Sequence, residues 1–170
     1  MPREPVAGGR PDDAPLEYAG FWIRVVASLI DTVAIVCVTL PVLLAIYGRG
    51  YFEAATAGGA AGAADVLISW VAPAVAVIGF WVWRQATPGK SAVSARVVDA
   101  RTGGPIGLRQ ACQRYLGYFV SMIPLGLGLL WIAFDARKQG WHDKLAGTVV
   151  VRPRRAGLVR GPAPVRFDRA

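Results

Sequence analysis

Residues 25–46 read VVASLIDTVAIVCVTLPVLLAI. These 22 residues hold one charge, Asp31, and an α-helix needs about 20 predominantly apolar residues to cross the hydrocarbon core of a bilayer. Two further runs share the character: 66–83, with 18 residues, and 116–134, with 19, neither carrying a charge. Trp22, Trp70, Trp81, Trp83 and Trp131 stand at or near the ends of these runs, where interfacial aromatics collect. The sequence therefore predicts an integral membrane protein with apolar segments 21–47, 66–83 and 116–134.

Composition agrees. Of 170 residues, 54% are hydrophobic and 18% charged, with mean hydropathy +0.41; a soluble domain is nearer about 45–50% apolar and about 25% charged. Two cysteines, Cys37 and Cys112, cannot build a disulfide framework, and the single histidine, His142, excludes a multi-histidine metal site. No nucleophile–base pair, metal set or paired catalytic carboxylate stands out, so no enzyme, cofactor or metal is expected. The net charge of +8 is carried almost wholly by arginine. Because the basic patches adjoin apolar runs, anionic lipid accounts for them better than nucleic acid.

Charge also sets the expected orientation, since positive loops stay cytoplasmic. Residues 48–65 carry Arg49 against Glu53 and Asp65, whereas 84–115 carry six basic residues against Asp99. This places the N-terminus and 84–115 inside and 48–65 outside. The basic C-terminal part also belongs inside, yet three full crossings would put it outside. Pro124, Gly126 and Gly128 interrupt the third run, and a break there lets it dip in and return. Residues 93–99 and 148–152 read as short β-branched strands that would pair on one side. Residues 107–119 read as an amphipathic helix, with Leu108, Ala111, Cys112, Tyr115, Leu116 and Phe119 on one face and Arg109, Gln110, Gln113 and Arg114 on the other. The fold expected is an all-α membrane protein with two transmembrane helices and a broken or re-entrant third segment, three crossings being the alternative. A cytoplasmic β-pair and the amphipathic helix complete it. Residues 1–17 and the basic stretch 153–170 are expected to be disordered tails around a membrane domain over 18–152.

Ionisable residues inside apolar runs are the functional candidates. Asp31 falls ten residues past Phe21, about 15 Å along a helix, which places it near the bilayer midplane. Arg24 lies two turns earlier on the same face, with Ser28 and Thr32 flanking. The two are too far apart to pair directly, so each is expected to meet another segment: Arg24 with Asp143 or Asp135, and Asp31 with Arg114 if the third segment dips in. His142 beside Asp143 is either a titrating pair or a plain surface contact. Lys90, Arg109, Arg114, Arg152, Arg154 and Arg155 are candidates for lipid headgroups.

Three motifs resemble a known family. Gly20-Phe21-Trp22-Ile23-Arg24 followed by Leu29-Ile30-Asp31 resembles the start of the RDD family of bacterial membrane proteins. Thr87-Pro88-Gly89-Lys90 with Arg96-Val97-Val98-Asp99 resembles its central loop, and residues 134–151, FDARKQGWHDKLAGTVVV, its C-terminal signature. The resemblance covers about residues 17–152, and the family's Arg and two Asp fall on Arg24, Asp31 and Asp143. It implies a bacterial cell-membrane protein with a proposed transport role, in some members linked to cation/proton exchange. Two or three helices cannot enclose a polar route alone, so a transporter or transporter subunit coupling a cation to protons through Asp31 would be a homo-oligomer. The other readings are a structural or accessory protein docking a partner membrane protein, and a regulator bound to anionic lipid.

Overall fold

The computed structural model describes residues 15–154, 165 and 167. The elements run Leu16–Tyr18 (β1), Phe21–Tyr47 (α1), Gly50–Thr56 (α2), Ala63–Val66 (α3), a π-helical turn Leu67–Val71, Ala72–Arg84 (α4), Pro88–Ala92 (α5), Arg96–Asp99 (β2), Leu108–Met122 (α6), Leu127–Phe134 (α7), Trp141–Ala146 (α8) and Thr148–Pro153 (β3). The chain is mostly helical, with a small sheet.

Two helical stretches are long and apolar enough to cross a membrane, Phe21–Tyr47 and Ala63–Arg84. Only 6% of the apolar stretch of each is buried against the rest of the protein. Trp22, Leu29, Val33, Val38 and Val75 are all well exposed, so lipid or another protein must cover them. The third apolar run is broken as its Pro and Gly content predicts: α6 and α7 meet at 101°. The bend uses Pro124, then Leu125 and Gly126 with φ of 54° and 76°, and the Gly126 amide closes back on the Met122 carbonyl at 3.1 Å. Its apex is bare hydrocarbon, Leu125 being 96% exposed. If the bent pair counts as one span, the potential crossings number three.

The sheet has the order β1-β3-β2, with both pairings antiparallel. Val97 stands opposite Val150 and Val98 opposite Val149. The alternating sides divide the core. Val97 and Val150 pack with Ala19, Trp81, Ala95, Ile106 and Ala111 beneath the helix ends. Val98, Val149 and Val151 face the other way, against Leu16, Tyr18, Val165 and Phe167.

Several expectations shift. The strands form a triplet rather than a pair, because Leu16 and Glu17, assigned to the N-terminal tail, begin β1. Val165 and Phe167, assigned to the C-terminal tail, pack on the sheet, and the Val165 amide donates to the Leu16 carbonyl at 3.1 Å. The remainder of both expected tails, 1–14 and most of 155–170, lies outside the described residues. The amphipathic helix is present as α6, but the side it turns to the protein cuts across both faces. Ala111, Arg114, Gly117 and Ser121 face the protein, while Leu108, Leu116 and Phe119 are exposed. In lipid the hydrophobic stripe needs no protein cover, whereas a guanidinium does.

Two glycines set the close approaches. A Cβ at Gly117 would stand 2.8 Å from the Cα of His142, so α6 and α8 touch backbone to backbone. A Cβ at Gly89 would collide with the Ala27 carbonyl, since α5 lies directly on α1. Gly89→Ala is expected to lower stability by about 1–3 kcal/mol. Thermal unfolding in detergent should show a clear drop, and an unchanged midpoint would mean that α5 does not need this contact.

Candidate functional site: a buried carboxylate between two arginines

The first turn of α1 brings Arg24 to the sheet end of the molecule, where it is 8% exposed. All three guanidinium nitrogens are used. Nε donates to the Ala19 carbonyl at 3.0 Å, Nη2 to the Lys138 carbonyl at 2.5 Å, and Nη1 pairs with Asp143 Oδ2 at 2.5 Å. The other carboxylate oxygen pairs with Arg114 Nη1. That nitrogen also donates to the Thr148 hydroxyl, at 2.7 Å, at the start of β3. Asp143 sits in the first turn of α8 and takes a further bond from the Gly140 amide at 3.0 Å.

Asp143 and Arg114 are fully buried. Burial by itself raises the Asp143 carboxyl, but the guanidiniums of Arg114 and Arg24 outweigh it and hold the group well below the usual carboxylate range. Asp143 is therefore a fixed anion at physiological pH. His142 goes the other way: burial, partly opposed by Asp143, pushes its imidazole down to about 3, so it is neutral. Its ring stacks on Tyr118 with centroids 4.0 Å apart, and its amide donates to the Ser121 hydroxyl at 3.1 Å. Tyr118 stacks in turn on Trp81, and Arg114 and Lys90 both lie over the Trp81 ring, at 5.1 and 5.5 Å.

Asp31 has a different environment. Its carboxylate accepts the Thr87 hydroxyl and the Gly89 amide, the latter at 2.7 Å. Among the described residues no cation pairs with it. Thr87 follows the end of α4 by three residues, so Asp31 lies level with that end of the second apolar helix. The first three turns of α1 run alongside α5, where Gly89 meets Ala27 and Asp31.

Asp135, considered for Arg24, instead shapes its own turn. Its Oδ2 accepts the Arg137 and Gln139 amides, and its Oδ1 pairs with Lys144 at 2.5 Å. Arg114 goes to Asp143 rather than to Asp31. Ser28 and Thr32 line the clefts beside the cluster. Of the residues considered for headgroups, Lys90 and Arg114 are buried, Arg109 is exposed, and Arg152 pairs with Glu17 at 2.5 Å. Arg154 follows β3, its amide bonded to the Pro15 carbonyl at 2.8 Å, and Arg155 lies outside the described residues. Sequence reasoning missed Thr87, Gly89, Trp81, Tyr118 and Thr148 as partners. Only the Thr-Pro-Gly turn could have pointed to two of them.

Apolar helices joined at one end by a buried carboxylate and a small sheet define a membrane-type protein. Comparison with known sequences places it more closely. The RDD family profile matches residues 18–147, and the chain belongs to the RDD family. It is 36% identical over 75 residues to the uncharacterized protein RP437 of Rickettsia prowazekii, covering 44% of this chain and 41% of that one. It is 34% identical over 93 residues to a proline-rich antigen homolog of Mycobacterium tuberculosis, covering 50% and 38%. A proline-rich antigen of Mycobacterium leprae is 33% identical over 61 residues, covering 36% and 24%. The chain thus spans about two fifths or less of each of these relatives. No solved structure matches it.

Removing one member of a buried ion cluster leaves the others uncompensated, at about 3–5 kcal/mol. Asp143→Asn is expected to cost that much, while Asp135→Asn, whose partner Lys144 is half exposed, should cost about 1 kcal/mol or less. Unfolding of both variants in detergent checks the ranking; equal losses would remove Asp143 from its central place.

Proposed function

We propose that the protein is a transporter, or a transporter subunit, of the bacterial cytoplasmic membrane that couples a cation to protons through Asp31. The observation that carries the reading is the contrast between the two aspartates. Asp143 is neutralised by two arginines, whereas among the described residues Asp31 is bonded by a hydroxyl and an amide. A carboxylate with neutral donors and no bonded cation can exchange a proton or a cation without breaking an ion pair. Asp31 also lines a cleft of about 260 Å³ between α1 and α4, walled largely by apolar side chains. The exposed faces of both apolar helices fit a homo-oligomer or a partner membrane protein. No catalytic chemistry enters this reading.

The same contacts also favour a second reading. Asp31 fastens α5 to α1, as an accessory protein would need for docking without transport. Asp31→Asn separates the two, because the amide keeps an oxygen for Gly89 and loses the exchangeable charge. In sealed proteoliposomes the wild type should move protons in response to an imposed cation gradient. Asp31→Asn, assembling normally, should reduce that flux at least tenfold. Flux in neither protein, or a variant that falls apart, favours the accessory reading.

For topology we propose two crossings and a hairpin that enters and leaves on one side. Support comes from the sheet: β2 and β3 are hydrogen-bonded neighbours, and α6 and α7 lie between them in sequence. Strands that pair directly share a side of the membrane, so the chain joining them makes an even number of crossings. With the basic loops inside, Ala57→Cys should react with an impermeant thiol reagent in intact cells. Thr102→Cys should react only after permeabilisation, both in a Cys37→Ser/Cys112→Ser background. Labelling of Thr102→Cys in intact cells would reverse the assignment.

A further inference from the structure

Beside the Arg24–Asp143–Arg114 cluster, a cleft of about 450 Å³ opens between the first three turns of α1 and the bent α6–α7 pair. Its base carries Arg24, Lys90 and Arg114, and its walls include Leu29, Leu125 and Leu129. We propose that this cleft binds a phosphate-type anion, carried by an acidic lipid whose chains leave along the apolar walls. The proposal is independent of proton coupling at Asp31.

Unsatisfied charge is the first support. Lys90 is 6% exposed, makes no hydrogen bond or ion pair among the described residues, and holds its ammonium over the Trp81 ring, with Tyr118 and Asp31 as its electrostatic partners. Arg114 is fully buried, yet its Nε and Nη2 have no hydrogen-bond partner there. Buried cationic donors without an acceptor are costly, and an anion in the cleft supplies one. Charge balance is the second support. Three cations face two carboxylates, and of these Asp143 is shared by two arginines while Asp31 is bonded to Thr87 and Gly89. One positive charge is left over, on the side of Lys90.

The donor set then selects the class of ligand. Planar guanidinium and compact ammonium groups together suit the several oxygens of a phosphate. The walls select its carrier. Leu29 and Leu125 are 60% and 96% exposed and continue the surface that lipid covers, so the cleft opens sideways to the bilayer. A free anion would enter more readily through a polar mouth.

The full-length protein, purified in detergent, tests this by native mass spectrometry and thermal shift. The probes are phosphatidylglycerol, phosphatidylcholine and inorganic phosphate. The wild type should retain phosphatidylglycerol and gain thermal stability from it, with little response to phosphatidylcholine. Lys90→Met should weaken phosphatidylglycerol binding at least tenfold, and Lys90→Arg should restore most of it. Arg101→Gln, an exposed charge in the turn after β2, should stay within twofold of wild type. If inorganic phosphate alone reproduces the shift in a Lys90-dependent way, the anion site stands and free phosphate is its ligand rather than lipid. Should Lys90→Met not survive purification, Ser28→Leu, which narrows the cleft from α1, gives the same comparison. The proposal is overturned if the wild type binds phosphatidylglycerol no better than phosphatidylcholine and shows no Lys90-dependent response to inorganic phosphate, or if Arg101→Gln loses as much as Lys90→Met.

Discussion

One carboxylate holds the sheet end of this protein together. Asp143 is fully buried and meets guanidiniums from two elements far away in sequence, Arg24 at the start of α1 and Arg114 in the middle of α6. A buried charge is tolerable only when paired and hydrogen-bonded. The burial of Asp143 and of its two arginines is therefore mutually dependent. Arg24 extends the constraint to the Ala19 and Lys138 carbonyls, and Arg114 extends it to Thr148. The register of α1, the direction of α6, the seat of α8 and the start of β3 all follow from this one charge.

The apolar helices carry a different part of the architecture. Their surfaces are hardly buried within the chain, so lipid or another protein supplies their packing. Helix association in a bilayer gains little from hydrophobicity and depends on close approach and polar contacts. Both are found here at the sheet end. Gly89 lets α5 touch the Ala27 carbonyl, Gly117 lets α6 touch α8, and the ion cluster lies between them. The polar groups divide into one set around Asp143, which is paired with two arginines, and another around Asp31, which accepts from Thr87 and Gly89.

Much of this was legible before any coordinates. The Asp31 and Arg24 positions, the break near Pro124 and the strands at 93–99 and 148–152 rest on local rules, and the structure has an element or a bend at each, the first strand shortened to Arg96–Asp99. The pairing of Arg24 with Asp143 was one of two options, because sequence offers charge and spacing but not direction. The amphipathic pattern placed Arg114 with Arg109 on the polar side of α6, whereas the structure buries Arg114 against Asp143 and leaves Arg109 exposed. Leu16 and Glu17 gave too short an apolar pattern to announce a strand, which exists only because β3 offers an edge.

By itself, then, the sequence determined that the chain belongs in a membrane, where its apolar helices lie and where the third one breaks. Run length, charge count and proline chemistry act locally, and a reader can apply them residue by residue. Only the tertiary structure decided which aspartate is neutralised and which is left with neutral donors, and which way α6 turns its arginine. Those outcomes depend on groups separated by more than a hundred residues, such as Arg24 and Asp143, being brought within hydrogen-bond reach. Sequence spacing does not encode that distance; burial of the charge enforces it.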